Sequence, residues 1–306
     1  MEKSIKLSVI IPTYNGEKKI LSVLRSLENQ NFKDFEVIVI IDGSNDHTEG
    51  LLKSQKFDFL AFRVCWQENK GRSGSRNAGA KLAQSGILLF VDDDMRLESN
   101  ALQLHYEFHQ GKKDILLMGS ALEEIALMKT DIQKYRAFLS RKWGRAFENN
   151  LKSLTSHNFF LMAANFSIPK PLFWDLGGFD EKLTDAEDYD LGKKAIDKQK
   201  DIYFNPHIIG WHDDFITCLS YIKRQQQYRK AHEKLKALYP ERYENSQYDF
   251  HEAKGLKRLI YQFFAGKFWV NVIDSQWNVL KILPRKLRYK LYDIIITANA
   301  VHFPLA

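Results

Sequence analysis

Ile87-Leu88-Leu89-Phe90-Val91-Asp92-Asp93-Asp94 decides the fold. Five apolar residues, β-branched at both ends, read as a buried strand. They stop abruptly in three carboxylates. In extended backbone Asp92 and Asp94 point the same way, and Asp93 points away or caps the next turn. Two carboxylates held within a few ångströms repel each other unless a cation sits between them. Hard divalent ions such as Mg²⁺ or Mn²⁺ prefer such oxygen ligands and share them with substrate phosphates. The plainer reading is a solvated acidic turn after a strand.

Two upstream stretches repeat the pattern. LSVII (7–11) runs into PTYNG, and FEVIVII (35–41) runs into DGSND. Helical segments follow each, over 18–29 with Ile20, Leu21, Leu24 and Leu27 on one face, and over about 47–54. A third strand, 60–66, leads to NKGRSGSRNAG (69–79) and a helix that starts near Ser75 and runs to about 84. Strands alternating with helices predict crossover units and a mostly parallel sheet. In such a sheet the loops after the strands share one edge, where ligands bind. The Thr13-Tyr14-Asn15 loop, Asp42, Arg76 and the three aspartates are therefore expected to meet, although they span eighty residues of chain.

Composition sets the bounds. The 306 residues are 44% hydrophobic and 13% aromatic, which are globular values. Such a length buries a large core, as one α/β domain with an appendage or as two domains. Cys65 and Cys218 give neither a disulfide framework nor a metal-ligand spacing, which fits a reducing cytosol. Cys65, in a strand, reads as a small core residue. The first strand begins almost at once, so no secretory leader is expected, and no run of 18 apolar residues predicts a membrane span.

The net charge of +7 is uneven. Residues 245–306 hold nine Lys or Arg and four Asp or Glu, a net +5. Leu256, Leu259, Ile260, Phe263, Phe268, Trp269 and Trp277 interleave with these charges. A basic, amphipathic, aromatic-rich helical region of this kind fits an anionic membrane surface. It equally fits an ordinary helical cap with solvated lysines. No nucleic-acid-binding signature accompanies it.

Four further features bear on chemistry. Asp42-Gly43 closes the second strand as a turn pair. Gly71 and Gly74 let their loop approach a ligand closely, with a helix N-terminus behind it, and Arg76 is its cation. Arg76 could equally pair with Asp46 or Asp92. Glu187-Asp188-Tyr189-Asp190 opens a helix, where acidic residues match the dipole. His212 ends a strand over about 202–211, and imidazole is an acceptable Mn²⁺ ligand, although a His bonded to a backbone carbonyl fits as well. His207 is a weaker rival. The helix from 215 to about 238 carries Lys223, Arg224, Arg229 and Lys230, by default a solvated face.

Taken together, IPTYNG (11–16), IDGSNDHT (41–48), NKGRSGSRNAG (69–79), LLFVDDDMRL (88–97), LGGFDE (176–181) and AEDYDLGKKA (186–195) resemble family 2 glycosyltransferases of the GT-A fold. The resemblance covers about residues 5–215. It implies a Rossmann-like, GT-A catalytic domain over 1–215, which leaves 216–306 as the basic, amphipathic helical region read from composition. It implies a divalent metal, Mn²⁺ or Mg²⁺, held by Asp94 with Asp92 and His212, and a UDP-sugar donor. Pro12, Thr13, Tyr14, Asp42, Arg76, Asp92 and Asp93 would bind that donor, Asp42 through the uracil N3–H. The family often has two acidic residues there, and Ile41 stands in place of the first. Asp188 would be the catalytic base, steadied by Glu187. The implied reaction is inverting transfer of a sugar to a glycan or lipid-linked hydroxyl, in cell-surface polysaccharide or glycolipid synthesis. The basic tail, with no expected leader or span, predicts peripheral attachment to the cytoplasmic face of a membrane.

A second reading is a non-catalytic member that binds nucleotide or membrane only. The intact set Asp42, Asp92, Asp94 and Asp188 argues for the enzyme. A nucleotidyltransferase would need a Gly-rich basic loop after the first strand, which IPTYNG lacks. The acceptor-selecting stretch, about 120–165, holds no readable motif.

Overall fold

The structure, a computed structural model, describes residues 4–147, 152–155, 159–243 and 252–305. The chain forms two compact units. One comprises Met1–Glu124 and Ser140–Asp213, the other Ile125–Leu139 and Asp214–Ala306. The second unit thus takes in a stretch, 125–139, that the sequence reading assigns to the first domain.

The first unit is built on nine strands: β1 (Leu7–Thr13), β2 (Phe35–Asp42), β3 (Ala61–Gln67), β4 (Ile87–Val91), β5 (Met95–Leu97), β6 (Ile115–Leu122), β7 (Lys152–Leu154), β8 (Asn165–Pro169) and β9 (Asp201–His212). Their order is β3-β2-β1-β4-β8-β6-β9-β5, with β7 also on β9. Every residue of β1 and β2 is buried, so these strands read as continuous apolar runs instead of alternating ones. Helices α1 (Ile20–Glu28), α2 (Thr48–Ser54) and α3 (Gly71–Leu82) cross between the first four strands, which pair in parallel. The chain builds outward from β1 to β3, then returns to place β4 on the other side of β1. In open α/β sheets ligands bind beyond the strand ends at such a reversal, here the ends of β1 and β4.

The other half of the sheet is mixed. β8 lies antiparallel between β4 and β6, and β5 and β7 run antiparallel to β9. Strand–helix alternation foretells parallel pairing only where a crossover helix follows each strand, and β7 and β8 have none between them. α3 also begins four residues before its expected start. Asp42 Oδ1 accepts the Lys70 N–H at 2.8 Å and Asn69 Oδ1 accepts the Gly71 N–H at 3.3 Å, so loop side chains already satisfy the first turn.

β6 slips register at Gly119, opposite the bend of β9. A Cβ there would stand 2.3 Å from Asn165 Nδ2 and 2.5 Å from the Ile208 carbonyl, so only glycine fits. Asn165 donates to the Ser120 and Ile208 carbonyls across this gap. Its Oδ1 faces His105 Nε2 at 3.0 Å, and Ser167 Oγ lies 2.8 Å from ring nitrogens of both His105 and His109. Both histidines come from the segment of α4 (Ala101–Phe108) and its C-terminal end.

Burial lowers the His105 pKa to about 4, and burial with the neighbouring His105 lowers that of His109 to about 3. The unfolded chain therefore takes up these protons first, near pH 6.5. Their contribution is complete above that pH and is lost as pH falls towards 4 and 3. Between pH 7 and pH 5 we expect a loss of roughly 2 kcal/mol per histidine. Denaturant titrations at both pH values, wild type against His109→Gln, isolate it from carboxylate titration. Identical pH slopes would contradict it.

α6 (Lys170–Asp175) and α7 (Glu187–Asp197) complete the first unit. α5 (Asp131–Gly144) runs from one unit into the other. The second unit adds α8 (Cys218–Leu238), α9 (Pro240–Tyr243), α10 (Gly255–Phe264), α11 (Lys267–Asp274) and α12 (Arg285–Thr297). Its core gathers Tyr135, Ile222, Val270, Ile273, Tyr289, Tyr292 and Ile295. Buried polar ties fix the helices. Asp131 takes Arg288 Nε at 2.8 Å and the Tyr292 hydroxyl at 2.8 Å, and Asp274 accepts the first N–H groups of α8 from Cys218 and Leu219. Among the described residues no helix is long and apolar enough to cross a membrane. The apolar side chains of 252–305 divide: Val270, Ile273 and Leu280 are buried, whereas Leu256, Leu259, Phe263, Phe268 and Trp277 are exposed. Residues 244–251 of the basic region lie outside the described residues.

Candidate active site

The ends of β1, β2 and β4 bring Thr13, Asp42 and the three aspartates to one edge of the first unit. Asp42 is buried; its Oδ1 accepts from Gln67 Nε2 at 2.7 Å and from the Lys70 N–H, and its carbonyl accepts from Asn69 Nδ2. Pro12 and Thr13 are buried and Tyr14 is half exposed. Asn15 adopts φ 51° and its side chain accepts the Asn45 N–H, which ties this loop to the one after β2. A Cβ on Gly16 would lie 2.1 Å from Thr13 Oγ1, so glycine is required for the loop to fold back on β1.

The three aspartates part company. β4 ends at Val91 and the chain turns, with the Asp92 carbonyl accepting the Met95 N–H at 3.1 Å. The alternation that would align Asp92 with Asp94 stops with the strand. Asp92 meets Arg76 Nη2 at 2.6 Å. Asp93 turns into the protein, accepting from the Thr13 hydroxyl at 2.6 Å and pairing with Lys19 at 2.7 Å. Burial raises the Asp93 pKa, although Lys19 and Thr13 oppose the shift. Asp94 stands beside His212, with Oδ1 3.4 Å from Nε2. β5 makes that meeting, because Met95 pairs with His212 in the β5–β9 ladder. Separating the three carboxylates onto three different cations or donors relieves their mutual repulsion. His207 is exposed at the bend of β9.

Arg76 is the hub. It is 2% exposed and joins Asp92 to Glu187, whose Oε1 lies 2.5 Å from Nη1. Burial opposes its charge, but Asp92 and Glu187 outweigh that and raise its pKa. Asp46, its other expected partner, instead accepts from Thr48 and the Glu17 N–H. Asn77, next in α3, bonds the Phe179 N–H and carbonyl. Two consecutive residues of α3 thus hold the LGGFDE loop and the start of α7 against the end of β4. Arg76→Ala would leave Glu187 buried and unpaired. We expect a loss of roughly 3–5 kcal/mol in denaturant unfolding; a loss below about 1 kcal/mol would contradict this role.

Asp188 sits in the first turn of α7, behind Ala186, which is held at φ 62°. Its carboxylate accepts the Tyr189 N–H at 2.8 Å and the Ala163 N–H at 3.3 Å. Burial first, and the Glu187 charge second, push its pKa up to about 7, against the pull of Arg76 and these two bonds. A carboxyl that titrates near neutrality can accept a proton from a substrate.

Asp94 and His212 offer one hard oxygen and one imidazole nitrogen. Neighbouring ligands of an octahedral ion lie roughly 3 Å apart, close to the observed spacing. Among the described residues no group of three or more His, Cys, Asp or Glu could hold a metal alone. An ion held by this pair would complete its shell with other ligands, such as phosphate oxygens and water.

A family model for glycosyl transferase family 2 matches residues 8–177, over half of the chain. The chain belongs to this family. A Bacillus subtilis (strain 168) relative, the uncharacterised glycosyltransferase YfnE, is 28% identical over 233 residues, covering 61% of this chain and 59% of that one. The chain thus matches under two thirds of that relative's length. The Campylobacter jejuni GalNAc(5)-diNAcBac-PP-undecaprenol beta-1,3-glucosyltransferase is 36% identical over 99 residues, 32% of each chain. Among solved structures, Staphylococcus aureus TarS 1–349 in complex with UDP superposes with a TM-score of 0.54 at 21% identity, covering 96% of this chain and 90% of that one. That likeness confirms the GT-A-type fold and the helical C-terminal region of this family 2 glycosyltransferase.

Some residues of the site escape sequence reasoning. Lys19 pairs with Asp93, and Gln67 donates to Asp42. Arg96 holds Asp213, next to His212, with bonds of 2.6 and 2.9 Å, and also Glu124 at 2.8 Å. The only sequence signal for Arg96 is its place two residues after Asp94. Of the 120–165 stretch expected to select the acceptor, 148–151 and 156–158 lie outside the described residues.

Proposed function

We propose that the protein transfers a hexosyl group from a UDP-sugar to an acceptor hydroxyl with inversion, in the synthesis of a cell-surface glycan or glycolipid. The observation that carries this reading is the Asp92–Arg76–Glu187 bridge. It fixes the first turn of α7, which carries the near-neutral carboxyl Asp188, against the end of β4. Family membership supplies the reaction class.

Asp42, oriented through Oδ1, offers its other oxygen to the uracil N3–H, and Pro12, Thr13 and Tyr14 border the base. Asp93 supports that wall from behind through Thr13. Asp94 and His212 would hold a divalent ion, which when bound offsets charge on the departing diphosphate. The acceptor oxygen attacks the anomeric carbon opposite the diphosphate. The bond from that carbon to phosphate oxygen breaks, its electron pair leaves with UDP, and the acceptor proton passes to Asp188. Glu187 acts through Asp188, raising its affinity for that proton. The UDP complex of the TarS neighbour and the lipid-linked substrate in the Campylobacter relative's name support a UDP donor and a lipid-linked acceptor. A place on the cytoplasmic face of a membrane suits such an acceptor.

Titration calorimetry with UDP, CDP, GDP and ADP tests the donor assignment. UDP should bind at least about tenfold more tightly than CDP, because cytosine has no N3–H to donate; tenfold corresponds to about 1.4 kcal/mol, within the cost of an unpaired buried acceptor. Equal affinities would remove Asp42 from this role.

A further inference from the structure

Leu256, Leu259, Ile260 and Phe263 follow the spacing i, i+3, i+4, i+7 along α10, and so share one face. All four are exposed, by 74, 62, 39 and 66%. The helix is nevertheless held to its unit from another side. Tyr261 stacks on His302 at 4.3 Å, and Phe264 packs against the core of the second unit. α10 therefore has an inner apolar face that anchors it and an outer one that stays largely exposed, touched by Trp269 at Phe263. Phe268, at the start of α11, is 69% exposed and stacks edge-on to Trp269, whose ring also neighbours Phe263. The outer stripe continues onto α11.

The segment that carries the stripe is positively charged. Lys254, Lys257, Arg258 and Lys267 are all exposed. Beside α10 a cavity of about 220 Å³ is lined by Arg229, Arg258, His302 and Glu252 among others. From Ala253 to Phe268 the segment carries four Lys or Arg and no Asp or Glu, so it is self-repelling against a second copy of the same surface. It is complementary to anionic headgroups over an acyl layer.

We infer that the outer face of α10, with Phe268, inserts into an anionic lipid surface, and that the cations around it meet lipid phosphates. This deepens the membrane placement in the proposed function and is independent of the sugar chemistry.

Co-sedimentation of the full chain with phosphatidylglycerol and phosphatidylcholine vesicles tests it. Wild type should partition at least tenfold more strongly onto the anionic vesicles at low salt, and lose most of that preference at high salt. Leu259→Glu with Phe263→Glu should lower partitioning at least tenfold. Both positions are exposed, so the melting curve should be unchanged, as should UDP release from a UDP-sugar in vesicle-free buffer. Arg258→Glu should lower the anionic preference more than binding to neutral vesicles. Equal sedimentation of wild type and the double variant would overturn the inference. So would a wild-type dimer that the double variant dissociates, without vesicle binding, because the stripe would then be a contact between copies. Loss of sugar transfer in wild type with vesicle binding intact would instead count against the catalytic reading alone.

Discussion

Asp188→Asn is expected to lower turnover by roughly 10²–10⁴-fold, the range of a lost general base. UDP affinity should stay within a few-fold, because the substitution keeps shape and removes only the proton acceptor. Two further readouts separate a base from a scaffold residue. In wild type, kcat/KM should fall about tenfold per pH unit below about 7, where burial and Glu187 place this carboxyl, and the variant should lose that limb. Stability should move the other way. A carboxyl whose folded pKa lies above its unfolded value stabilises the fold less as pH rises between the two. At pH 8 the neutral amide should therefore leave the protein as stable as wild type or more so. A collapse of UDP binding in Asp188→Asn would make Asp188 a binding residue instead. Arg76→Ala connects to the same limb: Arg76 lowers the Asp188 pKa, so its loss should shift the limb to higher pH.

Asp94→Ala is expected to abolish detectable turnover, a loss of at least ~10³-fold. Charge stabilisation by a bound divalent ion amounts to several kcal/mol, and each factor of ten needs 1.36 kcal/mol. Unfolding should change by less than about 1 kcal/mol. Asp94 is partly exposed and is one of three adjacent carboxylates, so its removal relieves repulsion as it costs the contact with His212. His212→Ala should weaken metal-dependent activity less severely, since a carboxylate carries the charge that binds the ion. Full activity of Asp94→Ala would detach this carboxylate from the chemistry.

The candidate-site edge of the sheet was legible because β1, β2 and β4 are buried along nearly their whole length. Uninterrupted apolar runs ending in Pro-Thr, Asp-Gly and Asp-Asp-Asp announce both the strands and the place where they stop. What the sequence could not show is where each aspartate points. Parity aligns Asp92 with Asp94 only while the backbone is extended, and the chain turns immediately after Val91. The partners are also distant: Arg76 and Glu187 are 111 residues apart, and Thr13 and Asp93 are 80 apart. No local pattern encodes such pairings. The antiparallel insertion of β8 was hidden for a related reason, since no turn signal marks a strand that joins the sheet between two distant neighbours. The outer face of α10 was visible as a helical apolar period, but only the structure separates it from the inner face that Tyr261 and Phe264 occupy.

Metal-dependent donor turnover is the most direct test of this chemistry. UDP formation should be followed with the full chain and a panel of UDP-sugars, with Mn²⁺ or Mg²⁺ and again in excess EDTA. The expected result is UDP release from at least one UDP-sugar with metal, lost in EDTA and recovered when the ion is added back. UDP release that continues unchanged in EDTA, or that persists in Asp94→Ala, would contradict the assignment of Asp94 and His212 and the chemistry built on them.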